Sequence, residues 1–100
     1  MSETIWKFPL EITDEQTLAI PRAADLLTVQ VQRGRAFLWA NVRTDNPTEE
    51  RIIIMRGTGH ALTGVEGKYL GTIQLDCGYL VFHVFDGDWM TFYRREHDDD

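Results

Sequence analysis

The sequence predicts a small all-β domain, a sandwich or barrel of about seven short antiparallel strands. Three observations predict it: short runs of alternating apolar and polar residues, turn signals about every ten residues, and no long helical period. The 100-residue chain suffices for one domain with a modest core. We expect that domain to span residues 1–88. A C-terminal extension, 89–100, then forms an extra strand or an interface over 89–94 and ends in an acidic mobile tail.

The first predicted elements are two short strands that end near prolines. Residues 4–10 begin with alternating apolar and polar side chains and then meet Pro9. Proline has no N–H to donate to a sheet ladder, which indicates an edge strand or a strand end. Residues 17–20 are typical of a second short strand, which Pro21 ends.

A β-hairpin follows, in which residues 26–32 and 35–42 flank the turn Arg33-Gly34. A two-residue loop with glycine second favours a type I′ turn, because glycine accepts a positive φ there. The turn sets the register and sorts the side chains cleanly between an aliphatic face and a mixed face. That register pairs Gln32 with Arg35, Val31 with Ala36, Val29 with Leu38, Leu27 with Ala40, Gln30 with Phe37 and Thr28 with Trp39.

The second half of the chain predicts a buried strand and a second hairpin. Residues 51–56 form a continuous β-branched run, typical of a strand buried on both faces. Residues 69–76 and 79–85 then flank Cys77-Gly78, and Asp86-Gly87 is a further turn signal. With Cys77-Gly78 as the loop, Leu75 pairs with Leu80, Ile73 with Phe82, Gly71 with Val84, Gln74 with Val81, Thr72 with His83 and Leu70 with Phe85.

Charge and composition narrow the classes of partner. The net charge of −6 argues against duplex nucleic acid, whose phosphates require clustered Lys and Arg. Part of that charge lies in the last three residues, so a local basic pocket stays open. No apolar run reaches the length of a membrane span, and residues 1–10 lack the pattern of a signal peptide. With one cysteine, Cys77, we expect a protein of the reducing cytoplasm.

The mixed face of the first hairpin is the strongest candidate binding site. It presents Thr28, Gln30, Gln32, Arg35, Phe37 and Trp39. An aromatic ring stacks on a purine, glutamine satisfies the donor and acceptor edges of a base, and arginine binds phosphate bidentately. The alternative is structural: the two aromatic rings pack under a neighbouring strand or a second subunit while the polar residues lie in solvent.

A second candidate is the turn Gly57-Thr58-Gly59-His60 with Arg56 beside it. Two glycines let backbone N–H groups face an anion, and Thr58, His60 and Arg56 add donors. The turn lacks the lysine and the following helix of a P-loop. The structural alternatives are a turn that requires positive φ with His60 on the surface, and for Arg56 a solvated strand end.

The sequence contains no catalytic or metal-binding motif that supports an enzyme. His60, His83 and His97 lack metal-ligand spacing, and Cys77 is near none of them in sequence. Thr58 beside His60 is the one local pair of nucleophile and base. We therefore expect a non-enzymatic protein with no metal and no cofactor, in which His83 is a satisfied core histidine.

Several phrases of the chain, taken together, resemble a known family. They are Trp6-Lys7-Phe8-Pro9-Leu10, Leu27-Thr28-Val29-Gln30-Val31-Gln32, Leu38-Trp39-Ala40, Gly57-Thr58-Gly59-His60, Tyr69-Leu70-Gly71-Thr72 and Leu80-Val81-Phe82-His83-Val84-Phe85. In this order, across roughly residues 5–86, they resemble a family of short phage and prophage proteins classed as a domain of unknown function. The resemblance implies a viral origin and action inside a bacterial cell, and it supplies no established catalytic residues.

The resemblance and the mixed face together give the functional expectation. Small acidic phage proteins of this kind are often inhibitors of host defence, and some capture nucleotide signals in oligomeric pockets. We expect a homo-oligomeric protein of the host cytoplasm that sequesters a cyclic dinucleotide or an ADP-ribose derivative. The predicted ligand-binding residues are Gln30, Arg35, Phe37, Trp39, Arg56, Thr58 and His60. The alternative is a protein–protein inhibitor of a host defence protein, or a small virion or structural component.

Overall fold

The predicted all-β class is confirmed: the chain forms a sandwich of two antiparallel sheets. The computed structural model describes residues 2–88. Its strands are β1 (Glu3–Pro9), β2 (Glu15–Pro21), β3 (Asp25–Gln32), β4 (Arg35–Arg43), β5 (Thr48–Gly57), β6 (Lys68–Leu75) and β7 (Leu80–Asp86). Residues 89–100, for which we predicted an extra strand or an interface and a tail, lie outside the described residues.

One sheet has three strands in the order β1-β4-β3, and the other has four in the order β2-β5-β7-β6. Among residues 2–88, β1 is therefore an edge strand, as Pro9 at its end predicted. The core lies between the sheets, where alternate side chains of both meet. Its largest fully buried side chains are Ile20, Leu38, Val42, Ile53, Met55, Ile73 and Val84. Within residues 2–88 no helix is long and apolar enough to cross a membrane.

The first hairpin has the predicted register over most of its length. Arg33 and Gly34 both take positive φ, 53° and 77°, as a type I′ turn requires. The predicted pairing of Leu27 with Ala40 is wrong, because a β-bulge places Leu26 opposite Ala40. The extra residue leaves Leu27 outside the ladder and 43% exposed.

The second hairpin also keeps most of its predicted pairs, although its loop differs. The loop has four residues, 76–79, closed by Leu75 opposite Leu80. A two-residue turn at Cys77-Gly78 was therefore wrong: Asp76 and Cys77 join the glycine in the left-handed region, at φ 51° and 55°. The predicted pairing of Leu70 with Phe85 is also wrong, since a bulge places Tyr69 there.

A buried ion pair lies between β5 and the end of β7. Arg51 and Asp86 are each 4% exposed, and their Nη2 and Oδ2 atoms are 3.0 Å apart. Burial raises the pKa of Asp86, while the Arg51 charge opposes that shift. Arg51 also donates to the backbone oxygen of Ala24, so its side chain links three segments of the sandwich.

Candidate functional site

The predicted mixed face exists and is the outer face of the three-stranded sheet, here called face A. Directly opposed residues in antiparallel strands lie on the same side of a sheet. β4 contributes Arg35, Phe37 and Trp39 to this side, while the alternate residues Ala36 and Leu38 are buried in the core. Gln30 and Thr28 of β3 face Phe37 and Trp39, as predicted. β1 adds Ile5 and Lys7, which lie opposite Asn41 and Trp39.

One end of face A forms a hollow of about 370 Å³, here called the basic hollow. Its lining comprises three cationic side chains, an amide and an aromatic ring: Lys7, Arg33, Arg35, Gln32 and Phe37. The hairpin turn supplies Arg33, and the two strands that leave the turn supply Gln32 and Arg35. Three positive charges therefore converge on one concave surface of a chain whose net charge is −6.

Lys7 closes the basic hollow from the neighbouring strand. Its Nζ lies 4.5 Å from the centroid of the Phe37 ring and donates to Oε1 of Gln32 at 2.8 Å. The side chain thus reaches from β1 across β4 to β3. The ammonium group is attracted by the face of the ring, which holds the charge over the hollow. Sequence reasoning missed Lys7, because the pairing of β1 with β4 joins segments about 30 residues apart and carries no local signal.

No acidic side chain of the described residues pairs with the arginines of the basic hollow. Within residues 2–88, the side chains of Arg33 and Arg35 form no ion pair and no hydrogen bond. Two other arginines of the described residues do pair with a carboxylate: Arg51 with Asp86, and Arg56 with Glu66. Within the described part of the chain, the guanidinium groups of the hollow thus leave their donors available to an anion.

The aromatic part of face A extends from the hollow along β4. The rings of Phe37 and Trp39 meet edge-on, with centroids 6.0 Å apart. Both side chains are half-buried, and Gln30 beside them is exposed. The predicted residues Gln30, Arg35, Phe37 and Trp39 therefore share one surface. That surface places a charged end next to aromatic rings.

The other three predicted residues lie on the opposite side of the molecule. Arg56 lies opposite His83 on the outer face of the four-stranded sheet, here called face B. Thr58 and His60 begin loop 58–67, which covers part of this face. The loop and face B border an open hollow of about 440 Å³, lined by Arg56, Thr58 and His60 and in part by Tyr69 and Phe85. Because the core separates the two outer faces, the seven predicted residues form two groups rather than one site.

Arg56 was predicted to bind an anion, but its side chain is already bonded within the protein. Its Nε atom lies 3.2 Å from Oε2 of Glu66, and Nη1 donates to the backbone oxygens of Asp14 and Met55. Glu66 is buried and also accepts from the backbone N–H groups of Thr63 and Gly64. The side chain of Arg56 thus ties loop 58–67 to the sheet.

The hydrogen bonds to Glu66 determine its ionisation. The backbone N–H of Thr63 makes the largest contribution, and the pKa of Glu66 falls from 4.5 to about 2 in spite of the opposing effect of burial. The carboxylate is therefore charged throughout the physiological range and stays bonded to the loop.

The predicted phosphate cradle at residues 57–60 is also occupied by internal contacts. The Thr58 N–H donates to the backbone oxygen of Val81, and the His60 N–H donates to that of Gly57. The His60 ring packs against Gly57, where an added Cβ would lie 2.9 Å from Cε1. The Thr58 N–H is thus used in a bond to β7, and the His60 N–H and ring are used within the turn, where an anion was expected.

His83, rather than His60, is the histidine that contacts Thr58. The Thr58 hydroxyl lies 2.8 Å from Nε2 of His83, and the Thr72 hydroxyl lies 2.8 Å from Nδ1. Tyr69 contacts the Thr72 hydroxyl in turn. The half-buried imidazole is therefore satisfied on both nitrogens, as predicted. The predicted core position is wrong, because His83 lies opposite Arg56 on face B. Among the described residues no group of His, Cys, Asp and Glu side chains is arranged to hold a metal ion.

The chain belongs to a protein family defined as a domain of unknown function, DUF7352, whose model matches residues 1–90. The predicted resemblance to a domain of unknown function is thereby confirmed. No curated protein and no solved structure matched the chain.

Proposed function

We propose that this protein is a non-enzymatic binding protein that captures a small nucleotide-derived ligand on face A. The phosphates of the ligand bind in the basic hollow, and its base lies against the aromatic rings of β4. In line with the family resemblance noted in the sequence, we propose that the protein is encoded by a phage and acts in the cytoplasm of the host. The ligand is then an immune signal of the cyclic dinucleotide or ADP-ribose type.

The observation that carries the proposal is the pair of arginines, Arg33 and Arg35, with no acidic partner among residues 2–88. In a chain with 16 acidic residues and 10 Lys and Arg, a cationic cluster without a carboxylate leaves a local positive potential. Guanidinium groups match the geometry of phosphate oxygens and form paired hydrogen bonds with them. A phosphate-bearing ligand is the chemistry that this hollow fits best.

The rings beside the hollow support a ligand that carries a base as well as a phosphate. Stacking of a base on an aromatic side chain contributes about 1–3 kcal/mol. Trp39 is the next residue of β4 after Phe37 whose side chain lies on the same face, so the aromatic surface extends away from the charged end. Gln30 and Gln32 border the rings and offer donors and acceptors for the edge of a base.

The residues of the basic hollow favour binding over catalysis. Its five side chains include no carboxylate, histidine, hydroxyl or thiol. General acid–base chemistry and nucleophilic attack depend on such groups. Cations and an amide instead fix the position of an anion.

Titration calorimetry with a panel of cyclic dinucleotides and ADP-ribose derivatives tests the proposal. We expect at least one member to bind, and Arg35→Ala to weaken that binding at least tenfold, which corresponds to about 1.4 kcal/mol. Arg22→Ala is the matched control. It removes the same charge from an exposed arginine that directly follows β2, and whose Nε atom lies 3.6 Å from Oε2 of Glu49. Equal loss of affinity in both variants would show only a general charge effect and would overturn the site assignment.

Failure of the whole panel to bind would favour the alternative, docking of face A on a host protein. Ile5 on this face is 57% exposed, and Leu27 at the bulge is 43% exposed. Exposed apolar side chains next to an aromatic pair are a composition that protein interfaces favour.

A further inference from the structure

Among residues 2–88 no second strand lies beside the outer edge of β1, so this edge offers a row of unpaired backbone groups. Thr44 donates to the oxygen of Ser2, and Leu10 donates to the oxygen of Ala36, so the even-numbered residues of β1 bond to β4. In an antiparallel ladder the alternate residues direct both backbone groups the other way. Glu3, Ile5 and Lys7 therefore direct their N–H and C=O groups toward the free edge of the sheet.

The order of the residues along this edge is self-complementary. Glu3 and Lys7 are opposite in charge and lie symmetrically on either side of Ile5, all three on face A. Asn41 donates to Oε1 of Glu3 at 2.9 Å, which keeps the carboxylate on this face. A second strand of the same sequence, running antiparallel about Ile5, places each Glu3 opposite a Lys7 and Ile5 opposite its own copy.

We propose that two copies of this chain pair through β1, antiparallel and centred on Ile5. Glu3 then exchanges both backbone hydrogen bonds with the partner's Lys7, Lys7 exchanges them with the partner's Glu3, and the two Ile5 residues bond to each other. The product is a continuous six-stranded sheet that carries both copies of face A on one side. The dimer shares Lys7 with the basic hollow, but its formation does not depend on which ligand binds there.

The register follows from the residues at the edge. A shift of two residues in either direction removes the Glu3–Lys7 pairs, and a shift of four places like charges opposite each other. Pro9 has no N–H and cannot donate to a partner strand, yet in the centred register it lies beyond the paired segment. Lysine and proline commonly protect sheet edges from pairing, but in this register Lys7 and Pro9 do not prevent it.

The pairing also covers an exposed tryptophan. Trp6 lies on the same side of its sheet as the buried Ala40, yet 42% of it is exposed, because β1 is at the edge. In the centred register Trp6 lies opposite the partner's Thr4, in a close pair without backbone hydrogen bonds. Apolar area of Trp6 and Ile5 is thereby removed from water.

Light scattering coupled to size exclusion, on the full chain without an N-terminal tag, measures the assembly. The 11.6 kDa chain should run as a dimer of twice that mass. Ile5→Lys places two ammonium groups at the symmetry axis on an exposed position, and should weaken self-association at least tenfold. A monomer at concentrations up to about 1 mM, the weak end of specific association, would overturn the proposal. So would a dimer that Ile5→Lys leaves intact.

A charge exchange tests the register itself. Glu3→Lys and Lys7→Glu should each weaken the dimer, because each sets like charges opposite each other. The double exchange should restore the dimer, since the opposite charges again face each other. Glu15→Lys makes the same change in net charge as Glu3→Lys, but on the exposed side of β2, and should leave the mass of the dimer unchanged. If the double exchange associates no better than the single variants, the centred register is wrong.

Discussion

Face A and face B arise from the same alternation of side chains, yet they differ in how their charges are satisfied. On face B, Arg56 pairs with Glu66, and loop 58–67 packs over the sheet. On face A, Arg33 and Arg35 have no such partner within residues 2–88. An arginine in a candidate motif is therefore a stronger candidate for ligand binding when its donors are not used within the fold. Arg56 is bonded to Glu66 and to two backbone oxygens, whereas the Arg35 side chain has no partner among the described residues.

The two sides of β4 give the largest expected contrast in stability. Leu38 is fully buried, whereas Arg35, three residues before it in the same strand, is exposed. Leu38→Ala should lower the free energy of unfolding by about 2–5 kcal/mol, the usual cost of a large-to-small change in a core. Arg35→Ala should change it by less than about 0.5 kcal/mol. Urea denaturation measures both, and similar values for the two variants would contradict the described orientation of β4.

The two arginines of the two faces provide the next contrast. Arg56→Ala removes the bond to Glu66 and those to two backbone oxygens, so it should lower the free energy of unfolding by about 1–3 kcal/mol. It should leave the affinity for a face A ligand unchanged. Arg35→Ala should do the reverse. An Arg56→Ala variant with normal stability and lost binding would place the site on face B.

Acid provides a smaller test, confined to face B. The pKa of Glu66 is lowered to about 2 in the folded chain, so its contribution to stability is present above its ordinary pKa of 4.5 and is lost as the pH falls toward 2. Glu66→Gln should therefore destabilise the protein near neutral pH, and the difference from the natural chain should shrink in acid. Thermal midpoints measured across this range check the sign, and a difference that grows on acidification would contradict it.

Local patterns predicted most of the fold, because both hairpins join neighbouring segments. The turn at Arg33-Gly34 fixes the ladder around it, and Val29 lies opposite Leu38 as the alternation predicts. The bulges at Leu27 and Leu70 were not predicted, since one inserted residue leaves the apolar pattern of the strand nearly unchanged.

The candidate site was predictable only in part. Four of its predicted residues lie on the first hairpin and follow from its register. The position of Lys7 at the hollow depends on the pairing of β1 with β4, which no local pattern of the sequence indicates. The ion pair of Arg56 with Glu66 depends on a ten-residue loop that brings Glu66 back to the end of β5. Such pairings require the tertiary fold.

The most direct test of the central claim is to map a bound ligand by its effect on backbone amide NMR signals. The tightest ligand of the nucleotide panel is titrated into the isotope-labelled protein, with Arg35→Ala as the matched control. We predict that the largest shifts fall on Lys7, Gln32, Arg33 and Arg35, with Trp39 beside them, and that they disappear in the variant. Shifts concentrated in loop 58–67 and around His83, unchanged by Arg35→Ala, would contradict the assignment of function to face A.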